Sequence, residues 1–214
     1  MRKVIFFLFF AINSDAEYGH SNSNAPPNTT SLPRCFDDRR EIETVLQTID
    51  LNKRNSNKYD GYKKILNNSS DPELLARLAY AETIAANCPG ENSQIAPVVA
   101  GVIRNRAVTR KGEAASVVFD LNQFSSSLHN YTDSRFREFL CPKDLVLWRI
   151  VFSEVQKTDS SFSSKAYQYY FFRHSDGFQA PSWALGPKAL PHVIVPISEG
   201  EKPCVRAYIN PQWR

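Results

Sequence analysis

The spacing of apolar residues predicts helices in the first two thirds of the chain. An amphipathic helix is predicted over 37–57 by apolar residues at positions i, i+3, i+4 and i+7, namely Ile42, Val45, Leu46 and Ile49. The stretch 59–70 is polar and contains paired asparagines, so we expect it to be irregular.

A second helix has a well-defined start at Ser70. Ser70 is a favourable N-cap residue, Pro72 suits the first turn, and Glu73 adds an acidic side chain there. The helix should continue through Ala85 and stop before the Pro-Gly pair at 89–90.

Two more helices follow from the same spacing. One includes Ile95 to Ile103, with Pro97 in or near its first turn. The other opens at Pro142 and turns these residues inward: Leu145, Trp148, Val151, Phe152 and Val155.

After Lys157 the pattern changes from helical to extended. Short runs of aromatic and β-branched residues at 167–172, 192–197 and 204–209 are separated by Gly, Pro and Ser, which is typical of strands. The predicted fold class is therefore α+β, mostly helical with a small β element.

The N-terminal residues are typical of an export signal. Arg2 and Lys3 precede an apolar run at 4–12, and small residues follow up to Ala16. This pattern predicts a signal peptide at 1–16 that is cleaved after Ala16, although a buried N-terminal strand or short helix would share it.

The polar stretch at 17–34 predicts a flexible leader, which leaves 35–214 as the folded domain. The formal net charge of +4 is too small for a dedicated nucleic-acid binder and would suit an anionic polymer such as a bacterial cell wall. No apolar run reaches the length of about 20 residues that crosses a bilayer. We expect an exported protein, periplasmic or extracellular, without stable membrane insertion after signal removal.

The cysteines are four in number and widely spaced, with no Cys-x-x-Cys motif. In an exported protein they predict two disulfides with three possible pairings, whereas in a reducing compartment they would be buried thiols. The disulfide candidates are Cys35, Cys88, Cys141 and Cys204.

Glu82 is the candidate catalytic residue. It shares one helical face with Leu75, Leu78 and Ala85, at intervals of three and four residues. An acid on an apolar face should have a raised pKa, which suits it to donate a proton to a leaving oxygen. The alternative is a structural ion pair with one of three nearby arginines: Arg77, Arg104 or Arg106.

Five segments, at 74–82, 98–106, 117–125, 174–184 and 190–193, together resemble the SleB-like cell wall hydrolases, the spore-cortex-lytic enzyme family. The first ends in the Ala-Glu of Glu82, and the others include Asn-Arg, Gln-Phe-Ser, Pro-x-Trp-Ala and His-Val. They occur here in the family's order, with compatible spacing.

The resemblance implies a lysozyme-like catalytic domain that cleaves the glycan strand of peptidoglycan. Glu82 would be the acid/base of a lytic transglycosylase, which cuts between N-acetylmuramic acid and N-acetylglucosamine without adding water and without a metal or cofactor. A hydrolytic mechanism would need a second carboxylate, for which Asp120 and Asp133 are the candidates.

The same resemblance and an aromatic stretch suggest a sugar-binding cleft. Each residue also has a plain structural interpretation, as a turn, a core side chain or a buried histidine. The candidates are Gln123, Phe124, Ser125, Tyr169, Tyr170 and His174.

Two features leave other outcomes open. Where the family usually has several glycines after the catalytic acid, this chain has Cys88 and Pro89, so a disulfide could fix that loop instead. We expect Asn105 and Arg106 to cap the helix that includes Ile95 to Ile103 and to contribute surface charge.

The competing function is a non-catalytic exported protein that binds peptidoglycan or another envelope component.

Overall fold

The computed structural model describes residues 31–49, 58–86, 88, 90–109, 115–119, 130–157, 168–171, 192–195 and 204–208. The predicted signal peptide and residues 17–30 of the leader lie outside these ranges. The elements are α1 (Arg39–Thr48), α2 (Lys58–Ile65), α3 (Asp71–Ala85), α4 (Asn92–Thr109), α5 (Ser134–Leu140), α6 (Leu145–Gln156), β1 (Gln168–Phe171), β2 (His192–Val195) and β3 (Val205–Tyr208), with a 3₁₀ turn at Ser116–Phe119. No helix within the described ranges has the length and apolar character needed to span a bilayer.

Side-chain caps define where the helices begin. Ser70 is the N-cap of α3, and its hydroxyl accepts a hydrogen bond from the Glu73 N–H at 3.4 Å. Asp144 caps α6 in the same way, by accepting from the Leu147 N–H at 3.0 Å. The predicted helix start at Ser70 is confirmed, and the helix expected from Pro142 begins three residues later, at Leu145.

The prediction of an irregular stretch at 59–70 is wrong for the residues up to Ile65, which form the end of helix α2. Tyr62, Ile65 and Leu66 are buried on one side of this short helix, but lysines between them dilute the apolar pattern. Asn67 and Asn68 then adopt positive φ angles of 50° and 58°, a conformation that asparagine tolerates better than most residues. The Asn68 N–H donates to a carbonyl of the last turn, so the paired asparagines end the helix.

Helix α1 ends at Thr48, well before residue 57, where the predicted helix stopped. Helix α5 is absent from the sequence prediction altogether. Its seven residues bury Phe136, Phe139 and Leu140, a stripe too short to be recognised by periodicity.

Helix α3 lies at the centre of the domain. It contacts α4, α5 and α6, and every side chain from 74 to 83 is buried. The hydroxyl of Tyr80 accepts from the N–H groups of Lys143 and Asp144 at 3.0 and 2.9 Å, which joins α3 to the start of α6. The residues that the sequence places on one apolar face are thus part of a helix that is enclosed on all sides.

One fully buried arginine fixes the position of α3. The Nε and Nη2 atoms of Arg77 donate to Glu73 Oε1 at 3.0 and 2.8 Å. Its Nη1 donates to the carbonyls of Phe139 and Leu140, at 3.1 and 2.9 Å, and Nη2 also reaches the Arg34 carbonyl at 2.7 Å. All five N–H donors are used. Burial lowers the pKa of Arg77, and the hydrogen bond and charge of Glu73 oppose that shift.

Two disulfides connect distant parts of the chain. Cys35 bonds to Cys141, with a Cα–Cα distance of 4.3 Å, and Cys88 bonds to Cys204, with a Cα–Cα distance of 6.2 Å. They span 106 and 116 residues. In the chain-entropy account, a crosslink over such a span stabilises the fold by about 4–5 kcal/mol.

The three strands form an antiparallel sheet in the order β1-β3-β2. They fall within the three runs predicted after Lys157. In β3, Val205 and Ala207 are buried, and both β1 and β3 contact α4. The mostly helical composition is confirmed for the described residues, with this small sheet packed beside α4.

Replacing Arg77 by Met should destabilise the protein strongly. The change removes the donors of three backbone carbonyls and of Glu73, which should lower the free energy of unfolding by about 3–5 kcal/mol. Arg39→Met is the matched control, because Arg39 forms an exposed i,i+4 pair with Glu43 that should contribute little to stability. Urea unfolding with disulfides intact measures both, and equal losses would contradict the role given to Arg77.

The two disulfides should differ in their access to reductant. Cys35 is exposed, whereas Cys88 and Cys204 are 2% and 0% exposed. Brief treatment of the folded protein with a dilute thiol, followed by alkylation and peptide mapping, should therefore label Cys35 and Cys141 first. Earlier labelling of Cys88 or Cys204 would show that the second disulfide is not enclosed.

Candidate functional site

Glu82 is the most exposed residue within the buried stretch of α3 from Leu74 to Thr83. Between Leu74 and Thr83, only Leu75 and Glu82 are more than 1% exposed, at 7% and 9%. They are seven residues apart and so lie on one face, two turns from each other. Ala85, half-buried, continues this face one turn further. The face therefore opens towards solvent at the C-terminal end of α3.

Buried side chains cover all sides of α3 between Leu74 and Thr83, rather than the single apolar face predicted from their spacing. Small residues such as Ala76, Ala79 and Ala81 allow other helices to pack on every side of α3, so burial does not single out one face. What distinguishes Glu82 is that an acidic residue, only 9% exposed, lies on the side where the enclosure ends. Sequence periodicity cannot reveal this, because a helix buried all round carries little periodic signal.

Two of the three arginines proposed as ion-pair partners of Glu82 engage other carboxylates. Arg77 pairs with Glu73, as described above. Arg104 Nη1 lies 3.3 Å from Glu154 Oε1 and donates to the Glu154 carbonyl at 3.0 Å. Both side chains of that second pair are buried, so it joins α4 to α6 as a structural contact.

The predicted capping role of Asn105 is wrong. Helix α4 continues to Thr109, and Asn105 is buried inside it. Its Oδ1 accepts from the Arg104 Nε and Nη2 atoms at 3.4 Å each. Asn105 therefore belongs to the buried polar contact between α4 and α6.

A cavity of about 320 Å³ lies where the Glu82 face ends. Its described lining consists of Ala85 from α3, and of Asp133, Ser134 and Arg135 at the start of α5. Asp133 was one candidate for a second catalytic carboxylate. It is the N-cap of α5, because its Oδ1 accepts from the Arg135 N–H at 2.8 Å, and its catalytic role stays a prediction. The other candidate, Asp120, lies outside the described residues.

Besides Glu82 and Glu154, Glu91 is a buried acid that sequence reasoning missed. It is 7% exposed and directly precedes α4, where its carbonyl accepts from the N–H groups of Gln94 and Ile95. The one signal of Glu91 in the sequence is that it follows a glycine just before a helix. In the structure that glycine, Gly90, has a φ of 82°. Among the described residues, no three or more His, Cys, Asp or Glu side chains are grouped as metal ligands would be.

The Cys88–Cys204 disulfide joins the sheet to the end of α3. Cys88 follows α3 by three residues, Cys204 directly precedes β3, and the two pack with Ala86, Ile95 and Val205 in a small buried cluster. The disulfide suggested for this glycine-poor loop is therefore present.

The sheet also contains two of the predicted sugar-binding residues. In the β1–β3 register, Tyr169 is opposite the buried Ala207, and Tyr170 is opposite Arg206. Successive residues of a strand belong to opposite faces of the sheet, so the positions of the two tyrosines are on opposite faces. The remaining candidates lie outside the described residues: Gln123, Phe124, Ser125 and His174.

No model of a known protein family matches this chain, and neither does a curated protein or a solved structure. The resemblance to the SleB-like hydrolases therefore rests on the sequence segments themselves. The first two, 74–82 and 98–106, fall in α3 and α4, which pack against each other. The Gln-Phe-Ser and Pro-x-Trp-Ala segments lie outside the described residues.

Removing the Cys88–Cys204 disulfide should loosen the sheet and the end of α3 together. In a Cys88→Ser, Cys204→Ser variant, amide hydrogen exchange at Val205–Tyr208 and in the last turn of α3 should accelerate at least about tenfold, because the bond that joins them is lost. The control is Cys35→Ser with Cys141→Ser, which should leave exchange at both places close to that of the parent. Equal acceleration in the two variants would contradict a local role.

Proposed function

We propose that this chain is an exported enzyme that cleaves the glycan strand of peptidoglycan, acting as a lytic transglycosylase with Glu82 as its acid/base. The mature protein would begin after Ala16. The two disulfides are compatible with an oxidising compartment outside the cytoplasm.

The observation that carries this proposal is the position of Glu82. Glu82 is 9% exposed, lies on a helix packed against α4, α5 and α6, and shares its face with Ala85, which lines a cavity. A carboxyl withdrawn from water is costly to ionise, whereas one at the edge of an enclosure can still meet a polymer. A protein that only binds glycan needs no such group.

The chemistry requires one carboxyl group to act twice. As an acid, Glu82 gives its proton to the glycosidic oxygen, and the bond from that oxygen to C1 of N-acetylmuramic acid breaks. The resulting carboxylate then takes the proton of the muramyl C6 hydroxyl while O6 bonds to C1. The products are a 1,6-anhydro end and a free hydroxyl on N-acetylglucosamine, and Glu82 regains its proton.

The architecture supports a lysozyme-like arrangement as part of the same proposal. The acid lies near the C-terminal end of a central helix enclosed by α4, α5 and α6. The small sheet is attached to that end through Cys88, which would make it one wall of a glycan cleft. Because their positions in β1 alternate between the two faces of the sheet, one of Tyr169 and Tyr170 would belong to this wall.

The experiment is digestion of purified peptidoglycan, with the soluble products analysed by mass spectrometry. The parent protein should release 1,6-anhydro-muropeptides. Glu82→Gln should reduce the rate at least about a thousandfold, because the amide keeps the shape of the side chain but cannot supply the proton.

Glu91→Gln is the matched control, since Glu91 is an equally buried acid outside α3. It should retain activity if one carboxyl group suffices. Reducing ends instead of anhydro ends, with both variants inactive but folded, would indicate hydrolysis by two carboxylates. Binding to peptidoglycan without any soluble product would overturn the enzymatic proposal in favour of a glycan-binding protein.

A further inference from the structure

Four asparagines of this chain lie in the acceptor pattern for N-linked glycans, which is Asn, any residue except Pro, and then Ser or Thr. They are Asn28, Asn67, Asn68 and Asn130. Enzymes of the export route attach such glycans, so the pattern has a meaning only in a chain that crosses a membrane. Asn28 lies outside the described residues, and the structure distinguishes the other three.

We propose that Asn130 carries an N-linked glycan, attached as the chain is exported, in preference to Asn67 and Asn68. The inference goes beyond the proposed function and shares with it only the export of the chain. The acceptor triplet is Asn130-Tyr131-Thr132, in which Asn130 and Thr132 are both exposed. A glycan on Asn130 would therefore extend into solvent rather than into the core.

The acceptor amide is held by the threonine of its own triplet. The Thr132 hydroxyl donates to Asn130 Oδ1 at 2.8 Å, and the Thr132 N–H donates to the same oxygen at 3.0 Å. When Nδ2 of this amide loses a proton, negative charge develops on Oδ1, and two donors already directed at that atom stabilise it. The contact therefore favours Asn130 Nδ2 as a reacting atom.

This arrangement needs only consecutive residues of the chain. The Asp133 N–H donates to the Asn130 carbonyl at 2.9 Å, which closes a turn of four residues. An asparagine side chain that bonds to the backbone two residues further on commonly stabilises such a turn. The acceptor geometry can therefore form during export, before the distant contact of Tyr131 with the Asp37 carbonyl exists.

The hydroxyls of the two other described triplets hold the ends of helices. Ser69, which completes the triplet of the first asparagine, donates to the Leu66 carbonyl at 2.8 Å at the end of α2. Ser70, which completes the next triplet, is the N-cap of α3 and accepts from the Glu73 N–H. The Thr132 hydroxyl instead contacts the asparagine of its own triplet, which is the basis for the preference.

The covalent step joins Asn130 to a sugar that a lipid carries. Nδ2 bonds to C1 of the reducing-end sugar of a lipid-linked oligosaccharide, and the bond from C1 to the diphosphate oxygen breaks. The lipid diphosphate leaves with the electron pair, and the proton of Nδ2 passes to a base of the oligosaccharyltransferase. The transfer needs no oxidant or reductant.

The test is secretion of the full chain, with its residues 1–16, from cultured eukaryotic cells. Peptide N-glycosidase in heavy-oxygen water converts a glycan-bearing asparagine into an aspartate that carries the isotope, and peptide mapping locates it. Asn130 should be labelled, whereas Asn67 and Asn68 should remain unlabelled. Absence of label at Asn130, or equal label at Asn67 or Asn68, would overturn the inference.

Two variants of Thr132 separate the role of its hydroxyl from that of the fold. Thr132→Ala should lose the label at Asn130, whereas Thr132→Ser should retain it, because serine keeps the hydroxyl. Thr132 is exposed, so both variants should be secreted and should unfold in urea like the parent. A label at Asn130 that survives in Thr132→Ala would contradict the role of the hydroxyl and overturn the inference.

The digestion assay distinguishes this failure from failure of the proposed function. A secreted protein that cleaves glycan strands with an unlabelled Asn130 would overturn the glycan site alone. A protein labelled at Asn130 that releases no products from peptidoglycan would overturn the enzymatic proposal and leave the glycan site. Protein that is retained inside the cells without a label would overturn the export and the glycan site together.

Discussion

The guanidinium of Arg77 joins three separate parts of the chain, and each of its N–H donors needs a partner because the charge is buried. Its donors reach Glu73 on its own helix, the last residues of α5, and Arg34 before α1. Phe36 adds a ring 5.1 Å from the charge. Because an unsatisfied buried charge is so costly, these segments must close around α3 together. Glu82, five residues along the same helix, inherits its fixed position from this contact.

Helices and strands could be predicted where a few neighbouring residues have a distinctive preference. Ser70 and Pro72 indicate the start of α3, and runs of β-branched and aromatic residues indicate the three strands. Short helices escaped prediction, because α2 and α5 contain eight and seven residues and present only two or three apolar side chains each. The central position of α3 could not be predicted either, since the spacing of its apolar residues does not mark it as the helix that the others surround. Long-range contacts such as those of Arg77 have no signature in local sequence.

The candidate site was predictable in part for the same reason. Glu82 could be singled out, because a carboxyl among apolar residues is unusual and falls within a motif. Glu91 could not, since nothing in the neighbouring sequence indicates that this acid is buried.

The order of the four cysteines gives the domain a property that neither disulfide has alone. The two closed loops overlap, because Cys88 lies inside the first loop and Cys141 inside the second. Any single peptide-bond break between 35 and 204 therefore leaves both pieces covalently joined. A protease that nicks an exposed loop cannot release a fragment, and the broken ends remain beside each other. With both disulfides intact, a single cut anywhere in this span therefore leaves one covalently connected molecule.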